Sequence, residues 1–159
     1  MTGNVMVGVQ TRNDDCDKCL VCVIAMKIFF KRSIDFMPQK FHGDNKNEQK
    51  KKNLTFVVAA DYKRDLGGVL ANSLNEVVME KEDLFVEMYI LSGCHNMIIT
   101  VSTYMWWTAW LVAHKREGGV VIYQGNNMRW EWISNVARPE EMYPPTWISI
   151  NETDDTPSV

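Results

Sequence analysis

The sequence has few cysteines, little net charge and no glycine-rich phosphate motif. Four cysteines are too few for a disulfide-stabilised scaffold. A net charge of −3, with a pI of about 5.6, does not supply the clustered basic face that nucleic acids require. Neither Gly-x-Gly-x-x-Gly nor Gly-x-x-x-x-Gly-Lys-Ser/Thr occurs, which excludes the dinucleotide fingerprint and the P-loop. We therefore expect no nucleic-acid partner.

Three of the cysteines have a spacing that can bind zinc, Cys16-x-x-Cys19-x-x-Cys22. A structural zinc site needs four ligands, and the remaining candidates are Cys94 and three scattered histidines. The alternative is that these small residues begin a buried helix. We favour the helix and expect no metal.

The chain offers no signal peptide and no convincing membrane span. Its first fifteen residues lack a basic segment followed by an apolar one. Residues 96–113 carry no formal charge and approach the length of a span, but a Ser-Thr break divides them. We interpret them as a strand, a turn and a helix.

The remaining pattern is that of an α/β protein. Hydrophobic residues make up 46 % of the 159 residues, enough for one core. Short apolar runs alternate with helical segments, which predicts a mainly parallel sheet in a three-layer, Rossmann-like domain. The predicted strands are Val5–Val9, Leu54–Ala60, Glu76–Met79, Met97–Val101 and Val120–Tyr123, and the predicted helices are Asp17–Phe30, Lys63–Leu74, Glu82–Gly93 and Tyr104–Ala113.

Three further segments are expected to be irregular. Lys31–Asn53, with Pro38, Gly43 and several lysines, is predicted to be a surface connection. Beyond Gly125 we expect irregular chain whose tryptophans pack back onto the sheet (Trp130, Trp132 and Trp147). Residues 1–150 would form the domain and 151–159 a flexible tail.

Polar residues follow three of the predicted strands, where open α/β sheets bind ligands. They are Gln10, Arg12 and Asp15 after the first strand, Asp61 after the second, and Ser102 and Thr103 after the fourth. A helix that begins with Ser102-Thr103-Tyr104 offers free N–H groups and a positive partial charge to a phosphate. The guanidinium of Arg12 could bind the same anion.

Each of these residues also has an ordinary structural role open to it. Ser102 or Thr103 could simply cap the helix, and Arg12 could form a surface ion pair with Asp14 or Asp15. His95 beside Asn96 is more typical of a packed residue than of a catalytic base. Residues 1–79 carry 12 Lys and Arg against 9 Asp and Glu, so the amino-terminal half is positive and could bind an anion.

Four segments resemble, in order, the carboxyl-terminal half of the GDP-fucose-dependent galactoside α-1,2-fucosyltransferases. Cys94–Leu111 is similar to the family's block of an apolar strand, a small-Thr-aromatic turn and a Trp-bearing helix. Val7-Gly-Val-Gln-Thr-Arg-Asn-Asp-Asp15 is similar to the family's Val-Gly-Val-His-x-Arg-Arg-Gly-Asp. The other two are Phe56–Asp61, similar to a strand ending in Ser-Asn or Ser-Asp, and Tyr143–Ile148, similar to a closing Leu-Pro-x-Trp segment.

This resemblance implies a nucleotide-sugar-binding domain of a two-domain, metal-independent glycosyltransferase. Arg12 would bind the β-phosphate and act in catalysis, and Ser102, Thr103 and Tyr104 would supply main-chain donors to the same group. Gln10 and Asp61 would lie near guanine or ribose, with Asp15 also in the site. The reaction would transfer L-fucose from GDP-fucose to the 2-hydroxyl of a terminal galactoside with inversion, in the Golgi lumen, without a metal or other cofactor.

Three departures from the family pattern support a second hypothesis. Gln10 replaces a histidine, Asn13 an arginine and Asp14 a glycine, which makes the loop two charges more negative where a diphosphate would bind. The family's amino-terminal half, with its membrane anchor and acceptor-binding residues, has no counterpart in this sequence. The alternative is therefore a truncated, inactive member that acts as a binding or structural protein. Two glycosylation triplets, Asn53-Leu-Thr55 and Asn151-Glu-Thr153, are compatible with a lumenal protein.

Overall fold

A six-stranded, all-parallel sheet forms the centre of the molecule. A computed structural model of the chain describes residues 4–11, 20–42, 53–60, 75–79, 83–115, 118–125 and 139–151. The strands are β1 (Val5–Thr11), β2 (Leu54–Ala60), β3 (Asn75–Val78), β4 (Asn96–Ile99), β5 (Val121–Gln124) and β6 (Ile148–Ile150). Their order across the sheet is β3-β2-β1-β4-β5-β6. The predicted α/β, Rossmann-like architecture is confirmed.

Helices cover both faces of the sheet. The described helices are α1 (Leu20–His42), α2 (Leu84–Leu91), α3 (Thr103–Lys115) and the short α4 (Pro139–Met142). Side chains alternate along each strand, so β1 directs Val5, Val7 and Val9 toward α1. The opposite face packs Val57, Met97 and Ile99 against α2 and α3. Two apolar layers therefore lie on either side of the sheet, as the three-layer prediction requires.

The prediction that Lys31–Asn53 is a surface connection was wrong over its first part, because α1 continues to His42. Phe30, Ile34 and Met37 lie on one helical face and are buried against the sheet. Pro38 lacks an N–H and normally disfavours a helix interior. Burial of this apolar stripe outweighs that local cost.

The segment beyond Gly125 is more regular than predicted. It contains α4 and a sixth strand, which extends the sheet beyond β5 through the pairs Ile122 with Ile148 and Gln124 with Ile150. Trp147 was predicted to pack onto the sheet and is buried beside Trp106 of α3, whereas Trp130 and Trp132 lie outside the described residues. Of the predicted helices, Glu82–Gly93 and Tyr104–Ala113 correspond closely to α2 and α3, and Lys63–Leu74 lies outside the described residues.

A close approach of α2 to the sheet accounts for Gly8. A Cβ at this position would lie 2.6 Å from the Sδ of Met97 and 3.3 Å from Cδ2 of Leu91. Only glycine fits the backbone of β1 under these side chains without displacing them. None of the described helices is long and apolar enough to cross a membrane.

Candidate functional site

The strand order changes direction between β1 and β4, and we call the carboxyl-terminal end of the sheet at this point the β1–β4 crevice. β2 and β3 lie beyond β1 on one side of the sheet, and β5 and β6 lie beyond β4 on the other side. Connections from neighbouring strands therefore diverge at the carboxyl ends of β1 and β4. In open α/β sheets, ligands bind at this topological switch point. The polar residues that follow β1 and β4 in the sequence are those predicted to form the site.

Gln10 is one of several buried polar residues near this edge, with Thr11, Thr100 and Gln124. It pairs in register with Ala59 of β2 and Ile99 of β4, and it is only 2 % exposed. Its side chain lies on the α2 and α3 face, where its amide donates a hydrogen bond to the Tyr104 hydroxyl. Its carbonyl oxygen Oε1 has no hydrogen-bond partner among the described residues. A buried acceptor without a partner costs about 1–3 kcal/mol, so a donor from a ligand or from a residue outside the described ranges would be stabilising here.

Tyr104 connects Gln10 to both helices of this layer. Its hydroxyl donates a hydrogen bond to the carbonyl oxygen of Leu84 at the start of α2. Burial is the main cause of the raised pKa of Tyr104. The hydrogen bond with Gln10 lowers this pKa, and the carboxylates of Glu87 and Asp83 raise it further. The hydroxyl is therefore neutral at physiological pH and acts as donor to Leu84 and acceptor from Gln10.

At the start of α3, the first main-chain N–H groups have no hydrogen-bond acceptor among the described residues. The carbonyl of Ser102 accepts the first helical hydrogen bond, from the N–H of Trp106 at 2.9 Å, so Ser102 occupies the N-cap position. Its hydroxyl makes no hydrogen bond within the described parts of the chain. By contrast, α2 is capped by Asp83, whose Oδ1 accepts from the N–H of Phe85 at 2.9 Å. Ser102 therefore occupies the N-cap position, but its side chain makes no capping hydrogen bond to the described residues.

Buried packing fixes the direction of α3. Thr100 is buried in the β4–α3 turn, and its hydroxyl donates to the Sδ of Met105 at 3.4 Å. On another side of α3, the Nε1 of Trp106 donates to the carbonyl of Met142 at 2.8 Å, and its ring lies 5.6 Å from that of Trp147. The sequence did not lead us to predict that Thr100 helps to position α3. A threonine at the end of an apolar strand is the pattern that could have indicated this role.

The predicted site residues divide into two groups. Gln10 and Tyr104 are in contact, and Ser102 and the exposed Thr103 precede Tyr104 at the same helix start. The others lie outside the described residues (Arg12, Asp15 and Asp61). The same is true of Asn13 and Asp14. Gln10 and the start of α3 therefore lie together, while their role as a ligand site and the placement of Arg12 remain predictions.

Two residues considered in the sequence lie away from this crevice. His95 immediately precedes β4, at the opposite edge of the sheet, where its Nδ1 accepts a hydrogen bond from the N–H of Met6 at 3.1 Å. Cys94 is buried under Gly8. Within the described ranges, no three His, Cys, Asp or Glu side chains are grouped so as to bind a metal, and Cys16 and Cys19 fall outside those ranges.

The sheet order and the crevice at β1 and β4 identify a fold that many nucleotide-binding proteins share, and the fold alone does not specify a ligand. The sequence matches no model of a known protein family and no curated protein sequence.

Proposed function

We propose that this chain binds GDP-fucose at the β1–β4 crevice as the donor domain of a galactoside α-1,2-fucosyltransferase. The observation that carries the proposal is the buried Gln10, whose unpaired Oε1 lies beside the start of α3. One oxygen acceptor and a row of main-chain donors together suit a ligand that has both hydroxyl groups and phosphates. The four sequence segments that resemble the fucosyltransferases support the specific donor.

In this proposal the diphosphate binds at the start of α3. The N–H groups of the first turn are unpaired within the helix and carry its positive partial charge, which stabilises an anion. Ser102, Thr103 and Tyr104 supply these groups, and Arg12, which directly follows β1 in the sequence, supplies the guanidinium. Two kinds of donor would thus share the phosphate charge without a metal.

Gln10 would recognise the nucleoside part of the donor. Its amide N–H is engaged by Tyr104, so its free Oε1 can accept from a ribose hydroxyl or a guanine N–H. Asp61 follows the adjacent β2 in the sequence and would approach the same region, and Asp15 would lie near it. A ligand hydroxyl that satisfies the buried oxygen also removes the cost of leaving it unpaired.

The proposed reaction inverts the anomeric centre of fucose. The acceptor's 2-hydroxyl oxygen forms the new bond to the anomeric carbon as the bond to the β-phosphate oxygen breaks, and the hydroxyl proton passes to a base. Negative charge develops on the departing GDP. The Arg12 guanidinium and the main-chain donors would stabilise that charge more strongly in the transition state than in the bound donor.

Calorimetric titration with GDP and GDP-fucose tests the proposal. We expect binding tighter than millimolar in the parent chain and at least about tenfold weaker binding in Arg12→Ala, the loss expected for a charge-assisted hydrogen bond. Lys27→Ala is the matched control, because it removes an exposed cation from α1 on the opposite face of the sheet. Absence of binding, or equal weakening by both substitutions, would contradict the proposal.

A second candidate function is binding without catalysis. It is favoured by Gln10, Asn13 and Asp14, which replace His, Arg and Gly of the family pattern. Both candidates predict GDP binding, and only the first predicts transfer. Assaying fucose transfer to a lactose-type acceptor separates them, with a second protein in which the three family residues are restored and an amino-terminal half is supplied. Transfer by the unaltered chain would eliminate the second candidate.

A further inference from the structure

The outer surface of α2 and the adjoining side of α3 is apolar and uncovered. Phe85 and Tyr89 are 74 % and 78 % exposed, and Trp107 on α3 is 57 % exposed. Leu84, Val86 and Ile90 of α2 are each more than two-fifths exposed. We call these six residues the apolar patch. Eight-residue α2 therefore exposes five large apolar side chains, which is unusual for a helix that covers a sheet.

The two helices present one continuous surface because they lie side by side and run in the same direction. Tyr104 near the start of α3 donates to Leu84 at the start of α2. Near the other ends, the Nζ of Lys115 donates to the Oγ of Ser92 at 2.9 Å. Trp107 lies one turn after Tyr104 and is exposed, so it extends this surface onto the solvent side of α3.

The size of the apolar patch corresponds to one half of a dimer interface. Three aromatic side chains and three aliphatic ones at these exposures present on the order of 700 Å² of mostly apolar surface. A standard interface buries about 800 Å² on each partner, whereas a contiguous patch of this size is rare on a monomer. The only charged residue of α2, Glu87, is half-buried on the side near Tyr104 and leaves the patch itself uncharged.

The charges at the two ends of the patch are complementary to each other. Asp83 is exposed at the start of α2, while Lys115 is exposed at the end of α3. A two-fold axis perpendicular to the helices would place the acidic end of one protomer against the basic end of its partner. Such an axis also sets the helix dipoles antiparallel, which is favourable. A partner of one charge would not match both ends.

We infer that the apolar patch is the interface of a two-fold symmetric homodimer of this chain. The aromatic residues Phe85, Tyr89 and Trp107 form its centre and the charged ends form its rim. The dimer leaves the β1–β4 crevice unchanged in composition, so the inference does not depend on the proposed function.

Sedimentation equilibrium of the full chain tests the inference. We expect a species of about 37 kDa, the two-fold multiple of 18.4 kDa, that dissociates reversibly on dilution. Phe85→Asp and Tyr89→Asp, each placing a charge in the centre, should raise the dimer dissociation constant at least about 30-fold. Ile28→Asp is the control, since Ile28 is an exposed apolar residue of α1 on the other side of the sheet.

Each outcome decides the question. A parent chain that stays monomeric at high micromolar concentration overturns the inference and leaves a membrane or another protein as the occupant of the patch. A dimer that persists in Phe85→Asp, or that Ile28→Asp disrupts equally, places the interface elsewhere. Unlimited growth of the assembly contradicts two-fold closure. Circular dichroism and the midpoint of thermal unfolding confirm that each variant is folded, so a monomeric variant reports loss of the interface.

Discussion

Replacing the buried glutamine at the crevice should make the free protein more stable while it weakens ligand binding. Gln10→Met keeps the side-chain length and removes both polar atoms. Removing the unpaired Oε1 relieves a desolvation cost of about 1–3 kcal/mol, and losing the hydrogen bond to Tyr104 costs about 1 kcal/mol. The Tyr104 hydroxyl keeps its bond to Leu84 and is not left unsatisfied. The net change is a gain of about 1 kcal/mol in the free energy of unfolding.

The gain is measurable by chemical and thermal unfolding without ligand. For a chain of this length, 1 kcal/mol raises the midpoint of thermal unfolding by about 2–4 °C. The same variant should bind GDP more weakly, because the buried acceptor is gone. Such opposite effects on stability and binding are typical of a functional polar group kept in a buried position.

Gln124 provides a matched control at the end of β5. It is as buried as Gln10, but its polar atoms are not among the unpaired ones and it has an interaction partner. Gln124→Met should therefore destabilise the protein by about 1–2 kcal/mol. Destabilisation of Gln10→Met by as much as Gln124→Met would refute the reasoning, because it would show that the Gln10 amide is fully satisfied in the free protein.

Substitutions at three further positions test the packing of the described parts of the chain. Gly8→Ala should lower the free energy of unfolding by about 1–3 kcal/mol, since its Cβ would lie 2.6 Å from the Sδ of Met97, and in a double-mutant cycle this loss should be smaller when Met97→Ala is already present. Asp83→Ala should cost about 1 kcal/mol through loss of the α2 cap, and Asp83→Ser should cost less. Burial raises the pKa of Tyr143 above its ordinary value of 10.0, with a further contribution from Tyr123, so the folded state holds this proton more tightly than the unfolded chain. The stability that this proton contributes is complete below pH 10 and is lost as the pH rises above it. In urea unfolding at alkaline pH, the free energy of unfolding of Tyr143→Phe should therefore fall less steeply with pH than that of the parent. Identical slopes would contradict this prediction.

Much of the fold follows from local patterns in the sequence. The apolar runs of β2, β4 and β5 are bounded by polar or glycine residues, and their spacing left room for helices, which suffices for an α/β class with parallel strands. The carboxyl-terminal part of α1 could not be predicted from local patterns, because Pro38 and the nearby lysines are typical of a loop. Tertiary burial of Ile34 and Met37 decided the outcome there.

The short strand β6 was also beyond local reasoning. Ile148-Ser-Ile150 is only three residues long, and its pairing with β5 is stabilised by contacts distant in the sequence. The proximity of Gln10 and Tyr104 follows from the topology, since parallel strands share one carboxyl edge, whereas a ligand site there stays a prediction. That Gln10 Oε1 has no partner among the described residues depends on the packing of both helices, which no pattern within β1 encodes.

Helix α3 is fixed by contacts on three sides. Met105, Ala109 and Val112 bury one side of the helix on the sheet, and Tyr104 and Trp106 attach the two flanks to α2 and to Met142 at the end of α4. Its first turn is therefore held from three directions. Main-chain donors fixed in this way need no reorganisation when an anion binds, which is the condition for strong electrostatic stabilisation. If the diphosphate binds at this turn as proposed, loosening Trp106 should weaken GDP binding in calorimetric titration, although Ser102, Thr103 and Tyr104 are unchanged.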